Sequence, residues 1–169
     1  MQVPKKIVLA LYLVISISTF TKVLLADIYN KGSLQALKQT KFEQALAFAN
    51  TAVSLNNNEP YYYRTLAKAD LANNKVDDAL TALKSAQDLN KNNLATTKNM
   101  IGTYYIIGLT NPDIAKNYFL KMQQSYSKDL GVQISVATYQ NKLGWEEEFK
   151  DSKEQIYKLR ADILDWYIF

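Results

Sequence analysis

The apolar residues of this chain follow three rhythms, and each predicts a different element. From Ile7 to Phe20 the sequence reads IVLALYLVISISTF with no charged residue, and after Thr21 and Lys22 it resumes with Val23, Leu24, Leu25 and Ala26. From Lys41 to Asn92 the apolar positions are mostly small, return every three or four residues, and are broken by asparagine-rich gaps. Near the end, Phe149, Ser152, Ile156, Leu159, Ile163 and Trp166 draw a stripe that also advances by threes and fours. The first rhythm suits a helix surrounded by lipid; the other two suit amphipathic helices that bury one face.

The middle stretch states its pattern twice. Lys41, Ala45, Leu46, Ala52, Leu55, Asn56 and Asn58 recur as Lys75, Ala79, Leu80, Ala86, Leu89, Asn90 and Asn92, each 34 residues later. A period of this length, carried by small apolar positions at helical spacing, predicts helix pairs that bury their faces against neighbouring pairs.

Breakers and caps divide the chain further. A first helix is expected from Asp27 to Lys38, with Ile28, Leu34 and Leu37 apolar and Gly32 permitting a close helix approach. Residues 39–41 turn the chain into a partner helix whose inner stripe is Phe42, Ala45, Ala49, Ala52 and Leu55, ended by Asn56, Asn57 and Asn58. Glu59-Pro60 opens the second pair, because proline is well tolerated in a first helical turn. Tyr63, Leu66 and Ala67 are expected inward, Asn73-Asn74 forms the turn, and Val76, Ala79, Leu83 and Ala86 rebuild the stripe. The third pair is looser: Met100, Ile101, Tyr104 and Ile107, an end at Gly108, then Asn111-Pro112-Asp113 as cap, proline and acidic start before Ala115, Phe119 and Met122. Ser127 is the expected cap of a seventh helix bearing Leu130, Ile134 and Ala137, closed by Gly144 before Trp145 and Glu146 start the last one. The fold class expected is all-α: an antiparallel helix-pair solenoid of about four pairs behind an N-terminal transmembrane helix. Its divisions are an anchor at 1–26, repeats at 27–145 and a capping helix at 146–169.

Counted through Lys22, the apolar segment has about 20 residues at about 1.5 Å each, roughly the 30 Å of a hydrocarbon core. Lys22 lies near its far end, where a long side chain reaches the headgroups. Lys5 and Lys6 crowd the start, so the positive-inside tendency places the N-terminus in the cytoplasm and the repeats outside, on a single-pass membrane protein contacting the bilayer through residues 7–26. The alternative is a cleavable signal with a cut after Ala26 and a secreted product. Against it, Leu24 stands where a small residue is wanted and Lys22 intrudes on the cleavage region.

Composition removes several chemistries. The chain has no Cys and no His, hence no thiolate nucleophile, no imidazole acid or base, and none of the commonest metal ligands. No phosphate-binding glycine loop or nucleophile elbow occurs, and no cofactor is expected. The net charge of +4 is concentrated at the N-terminus, where Lys5, Lys6, Lys22 and Lys31 face only Asp27, and the helical remainder is nearly neutral. No basic run is interleaved with aromatics, so nucleic acid is not an expected partner. Asp77-Asp78 and Glu146-Glu147-Glu148 look like paired carboxylates, but both fall at expected helix starts. There negative charge meets the helix dipole, worth about 0.3–1 kcal/mol each, and no enzymatic role is assigned to them.

The 34-residue unit with Ala45, Ala49 and Ala52, then Ala79, Leu83 and Ala86, and with Tyr63 and Leu66-Ala67 in the preceding helix, resembles the tetratricopeptide repeat. The resemblance covers roughly 26–145 and departs from the family pattern at Asn57 and Lys91, where a unit-ending proline is usual. It implies a scaffold for protein–protein interaction, with the first helix of each pair lining a concave groove that takes a protein or peptide segment. Spacing alone puts Tyr61, Arg64 and Lys68 on one helix face. By the resemblance, Asn30 and Leu34 from the first unit and Thr97, Met100 and Tyr104 from the third flank them. Leu34 stands at a place where family members that clamp a peptide carboxylate use a polar residue, so that clamp is incomplete. Arg64 and Lys68 suit an acidic peptide or an anionic glycan, with Tyr61 and Tyr104 as stacking surfaces. A narrower resemblance lies in Leu25-Ala26-Asp27-Ile28-Tyr29 and Lys31-Gly32, similar to the junction where O-antigen ligase-like glycan polymerases pass into an outward-facing repeat tail. It implies the alternative function, an accessory or detached tail of surface-glycan machinery in the bacterial cell envelope.

Overall fold

A computed structural model describes residues 4–91 and 93–162. Every regular element among them is an α-helix: α1 (Lys5–Lys38), α2 (Phe42–Leu55), α3 (Pro60–Ala72), α4 (Val76–Leu89), α5 (Leu94–Gly108), α6 (Pro112–Ser125), α7 (Leu130–Lys142) and α8 (Glu146–Leu159). The chain divides into two compact units, Met1–Leu89 and Asn90–Phe169. Consecutive helices pair throughout: α1 with α2 and α3 with α4 in the first unit, α5 with α6 and α7 with α8 in the second.

α1 differs from its expected form. No break separates the apolar run from the first repeat helix, and 34 residues continue as one helix. The sequence offers no reason to stop, since Lys22, Leu24, Leu25 and Ala26 are good helix formers, Val23 is only mildly unfavourable and Gly32 costs about 1 kcal/mol. One window of this helix reaches a mean hydropathy of 2.1 with none of it buried, and α1 is long and apolar enough to cross a membrane. Ile7, Val8, Leu9, Leu11, Val14, Ile17 and Phe20 are exposed and together lie on every side of the helix. Beyond them Ala26, Asn30, Ser33 and Ala36 form the buried face against the rest of the unit.

That second half is held close to α2. The Ser33 hydroxyl donates to the Ala45 carbonyl at 2.8 Å, and a Cβ on Gly32 would meet the Phe48 ring at 3.1 Å. The core is made of small residues: Ala36, Ala45, Ala49 and Ala69 form one cluster, flanked by Leu37, Leu46 and Leu66. A second gathers Ala26, Ala52 and Tyr62, with Tyr29, Val53 and Leu55 against it. Alanines let helix axes approach closely, so modest side chains still bury completely. Thr40 and Asn74 close the α1–α2 and α3–α4 turns with φ of 58° and 60°, 34 residues apart, and Gly144 at 71° does the same before α8.

Three local expectations are corrected. Tyr62, not Tyr63, is the core tyrosine of α3; Tyr63 is half-buried, because α3 packs on α1 and α2 as well as α4 and buries more than one side. The cap of α7 is Asp129, whose carboxylate accepts from Val132 N at 2.8 Å, and Ser127 lies two residues too early. Asn111 precedes α6 as expected, but its side chain makes no cap and instead donates to the Thr110 hydroxyl at 3.0 Å. Elsewhere Glu59 caps α3 by accepting from Tyr61 N at 3.0 Å, next to Pro60 in the first turn. Ser152 and Ile156 of the terminal stripe are buried, and Ile156 packs on Ala137 of α7, so α8 acts as the second helix of a pair. Ile163 and Trp166 lie outside the described residues.

Candidate functional site

Tyr61, Arg64 and Lys68 do share one face of α3, and it is accessible. Tyr61 is 41% exposed, Lys68 is exposed and Arg64 is half-buried. The Arg64 guanidinium carbon sits 5.4 Å from the centre of the Tyr61 ring, a cation–π contact one helical turn along. Burial holds the Arg64 guanidinium below its ordinary value, with Glu59 and Tyr61 working the other way. Lys68 is held below the usual lysine value first by desolvation and second by the charge of Arg64. Among the described residues no carboxylate lies within ion-pair distance of either cation, so two like charges stand side by side on a surface that favours an anion.

The flanking residues are placed differently. On α1, Asn30 is buried, with its side-chain oxygen lacking a hydrogen-bond partner, while Leu34 is half-buried. In the second unit Thr97 and Met100 of α5 are buried, which corrects their expected place on an open face. Thr97 belongs to a tyrosine cluster: its carbonyl accepts from the Tyr118 hydroxyl at 3.4 Å and its own hydroxyl lies 3.4 Å from that of Tyr126. Tyr104, expected to offer a stacking surface, already stacks on Tyr118, with ring centres 3.6 Å apart and planes 6° from parallel. The accessible part of the expected site is thus the α3 face.

The carboxylate runs sit where the dipole argument puts them, Asp77 and Asp78 in the first turn of α4 and Glu146 to Glu148 in that of α8. Glu148 also pairs with Lys116 of α6, which holds its carboxyl below the usual range.

Two cavities lie apart from the expected site, each with a mostly apolar wall that carries a few polar side chains. In the first unit a cavity of about 280 Å3 lies between α2, α3 and α4, and Asp70 of α3 lines it while only 4% exposed. Burial pushes the Asp70 carboxyl up to about 6, reinforced by Asp78 and offset in part by Lys75. In the second unit a cavity of about 290 Å3 lies beside an amide network. Gln123 donates to the Ser152 hydroxyl at 2.7 Å, which donates to Gln140 at 2.5 Å, and Gln133 donates to the carbonyls of Gln123 and Tyr126. A signal for Asp70 does exist in the sequence: stepped back by the 34-residue period, its counterpart is Ala36, a core alanine. Gln133 has no such signal.

No protein-family model matches this chain, and no curated protein is similar to it.

Proposed function

We propose that the protein is a membrane-anchored helical scaffold of tetratricopeptide type. It holds an extended, acidic segment of a partner protein against the α3 face, on the extracytoplasmic side, and does no chemistry of its own. One observation carries the reading: Arg64 and Lys68 stand together on an accessible face with no carboxylate in ion-pair range among the described residues. Placing like charges at i and i+4 costs a few tenths of a kcal/mol, which a bound anion reverses. The helix-pair packing and the 34-residue repeat support the scaffold class, and the fully exposed apolar half of α1 supports the anchor.

The deciding experiment is photo-crosslinking of the full chain in membranes from a probe at Tyr61, followed by mass spectrometry, with the parent compared with Arg64→Glu plus Lys68→Glu. Capture of an acidic segment by the parent, lost in the double variant at unchanged thermal stability, supports the reading. Equal capture by both overturns it. No feature of the described residues favours the glycan-polymerase alternative.

A further inference from the structure

Asp70 breaks the rule by which its own helix pair is built. The repeat sets Ala45 against Ala79, Leu46 against Leu80 and Ala52 against Ala86, yet it sets Ala36 against Asp70. Ala36 is buried in a cluster of alanines, and Asp70 occupies the corresponding place with 4% exposure. Its carboxylate accepts no hydrogen bond and makes no ion pair among the described residues; Lys75 acts on it only from beyond ion-pair distance. A carboxylate on the wall of a cavity, with its own residue almost wholly enclosed and no protein donor in reach, is completed by a partner that supplies one.

The space beside it is shaped for one. The cavity of about 280 Å3 is bounded by Leu46 and Asn50 of α2, by Tyr63 and Leu66 of α3, and by Asp78 and Thr81 of α4. Two carboxylates and one lysine leave its lining with a net negative charge, and Leu46 and Leu66 provide apolar wall for a short hydrocarbon stem. Carboxylates are acceptors only, so the complementary group is a donor only. A divalent metal fits poorly: no group of three His, Cys, Asp or Glu that could hold one occurs among the described residues, and the Lys75 ammonium stands nearby. On α3, Tyr63, Leu66 and Asp70 lie about 200° around the helix from Tyr61, Arg64 and Lys68. The cavity is therefore separate from the basic face.

We propose that the α2–α3–α4 cavity binds an organic monocation, an alkylguanidinium or alkylammonium head, with the Asp70 carboxylate as its principal acceptor and Asp78 as the second. The planar fork of a guanidinium fits a carboxylate through two parallel N–H···O bonds, which makes it the stronger of the two heads. The head belongs either to a small free amine or guanidine or to a side chain of a polypeptide, and the binding chemistry is the same.

The test is calorimetric titration of the full chain in detergent micelles at pH 7.5. The probes are n-butylguanidinium, acetyl-Gly-Arg-Gly-amide, tetramethylammonium and magnesium chloride. Saturable binding of n-butylguanidinium, with a dissociation constant on the order of 1 mM or tighter, is expected. Tetramethylammonium, which has no N–H, should not bind. Asp70→Asn, which keeps the shape of the side chain, and Asp70→Ala, which installs the residue the repeat uses in its first copy, should each weaken binding about tenfold or more with unchanged far-ultraviolet circular dichroism. Equal binding by the peptide, with the same dependence on Asp70, identifies a polypeptide side chain as the source; binding of the small probe alone identifies a free metabolite. Absence of saturable binding, binding unaffected by both variants, or displacement of the guanidinium by magnesium at equal concentration overturns the proposal.

Discussion

The Tyr62 hydroxyl donates to Asp27 at 2.6 Å, joining α3 to α1 at the residue that follows the apolar run. The ring itself is buried with Ala26 and Ala52. Desolvation pushes the hydroxyl above the ordinary tyrosine range, and Asp27 pushes it the same way, because losing the proton would set two negative charges face to face. This contact fixes where the helix stops being an exposed apolar rod and becomes part of the repeat unit.

Tyr62→Phe should therefore cost about 1 kcal/mol, the net worth of one hydrogen bond. Tyr62→Ala should cost about 3–5 kcal/mol, since it also empties the ring's place. Asp27→Ala removes the acceptor, and the Tyr62→Phe plus Asp27→Ala double variant should cost less than the sum of the two single changes. Urea unfolding of the full chain in detergent measures all four. Strict additivity would mean that the two groups do not interact.

Thr40 holds φ of 58° at the α1–α2 turn, a backbone state costly for a β-branched residue, whereas the second copy of the turn uses Asn74 at 60°. Its hydroxyl bonds only its neighbour's carbonyl, at the surface. Thr40→Asn should raise stability by about 0.5–1 kcal/mol, read as a higher midpoint in the same urea titration. A lower midpoint would show that the turn tolerates threonine better than the backbone geometry implies.

These cases show which parts of the molecule were legible in the sequence. Helix pairing was, because Ala45, Ala49, Ala79 and Ala86 advance by helical steps and the asparagine and proline breakers fall between them; α2, α3 and α4 begin and end where those breakers stand. The continuity of α1 was not, since a change of surroundings from exposed to packed at Ala26 leaves the backbone undisturbed. Tyr62 and Tyr63 could not be sorted by a single-stripe argument, because α3 buries contacts on several sides. Of the expected groove, the i, i+3, i+7 spacing of Tyr61, Arg64 and Lys68 was enough to define a face. Thr97, Met100 and Tyr104 were assigned by analogy of position, and tertiary packing decides whether such positions are open. The Asp70 cavity depends on three helices meeting, although the mismatch between Ala36 and Asp70 marks it in the repeat.

Gly108 illustrates a residue whose position was legible and whose reason was not. It ends α5 without a positive φ, so the chain does not need glycine there for its backbone conformation. A Cβ at Gly108 would instead meet Leu143 at 3.0 Å, the Ala115 Cβ at 3.1 Å and Trp145 at 3.4 Å. The Ala115 Cβ cannot move without its helix. Alanine is the better helix former by about 1 kcal/mol, but overpacking costs about 1–3 kcal/mol, so Gly108→Ala should be net destabilising. Gly32→Ala, whose new methyl meets only the half-buried Phe48 ring, should be close to neutral. Equal effects at the two glycines would refute the packing explanation.

Asp70 also makes a prediction about pH that is independent of any ligand. Its carboxyl is raised from an ordinary 3.8 to about 6 in the folded protein. Between those values the folded chain holds a proton that the unfolded chain has released. The stability contributed by this group is thus complete below about pH 4 and is lost as pH rises through about 6. The shift corresponds to a ceiling of about 3 kcal/mol at 1.36 kcal/mol per unit; water entering the cavity screens part of it, leaving about 1–2 kcal/mol. Asp129 and Glu148 act in the opposite sense: burial pushes the Asp129 carboxyl up, but Lys98 and the Val132 N–H together outweigh it, and Lys116 holds Glu148 low, so the contribution of both is lost as pH falls. The contribution of Asp70 must therefore be read as a difference between variants. Asp70→Ala should match the parent near pH 4 and exceed its stability by about 1–2 kcal/mol at pH 7, measured by urea unfolding at each pH. Parallel curves from pH 4 to 7 would mean that the carboxylate is solvated and that α2, α3 and α4 do not enclose it as tightly as their packing indicates.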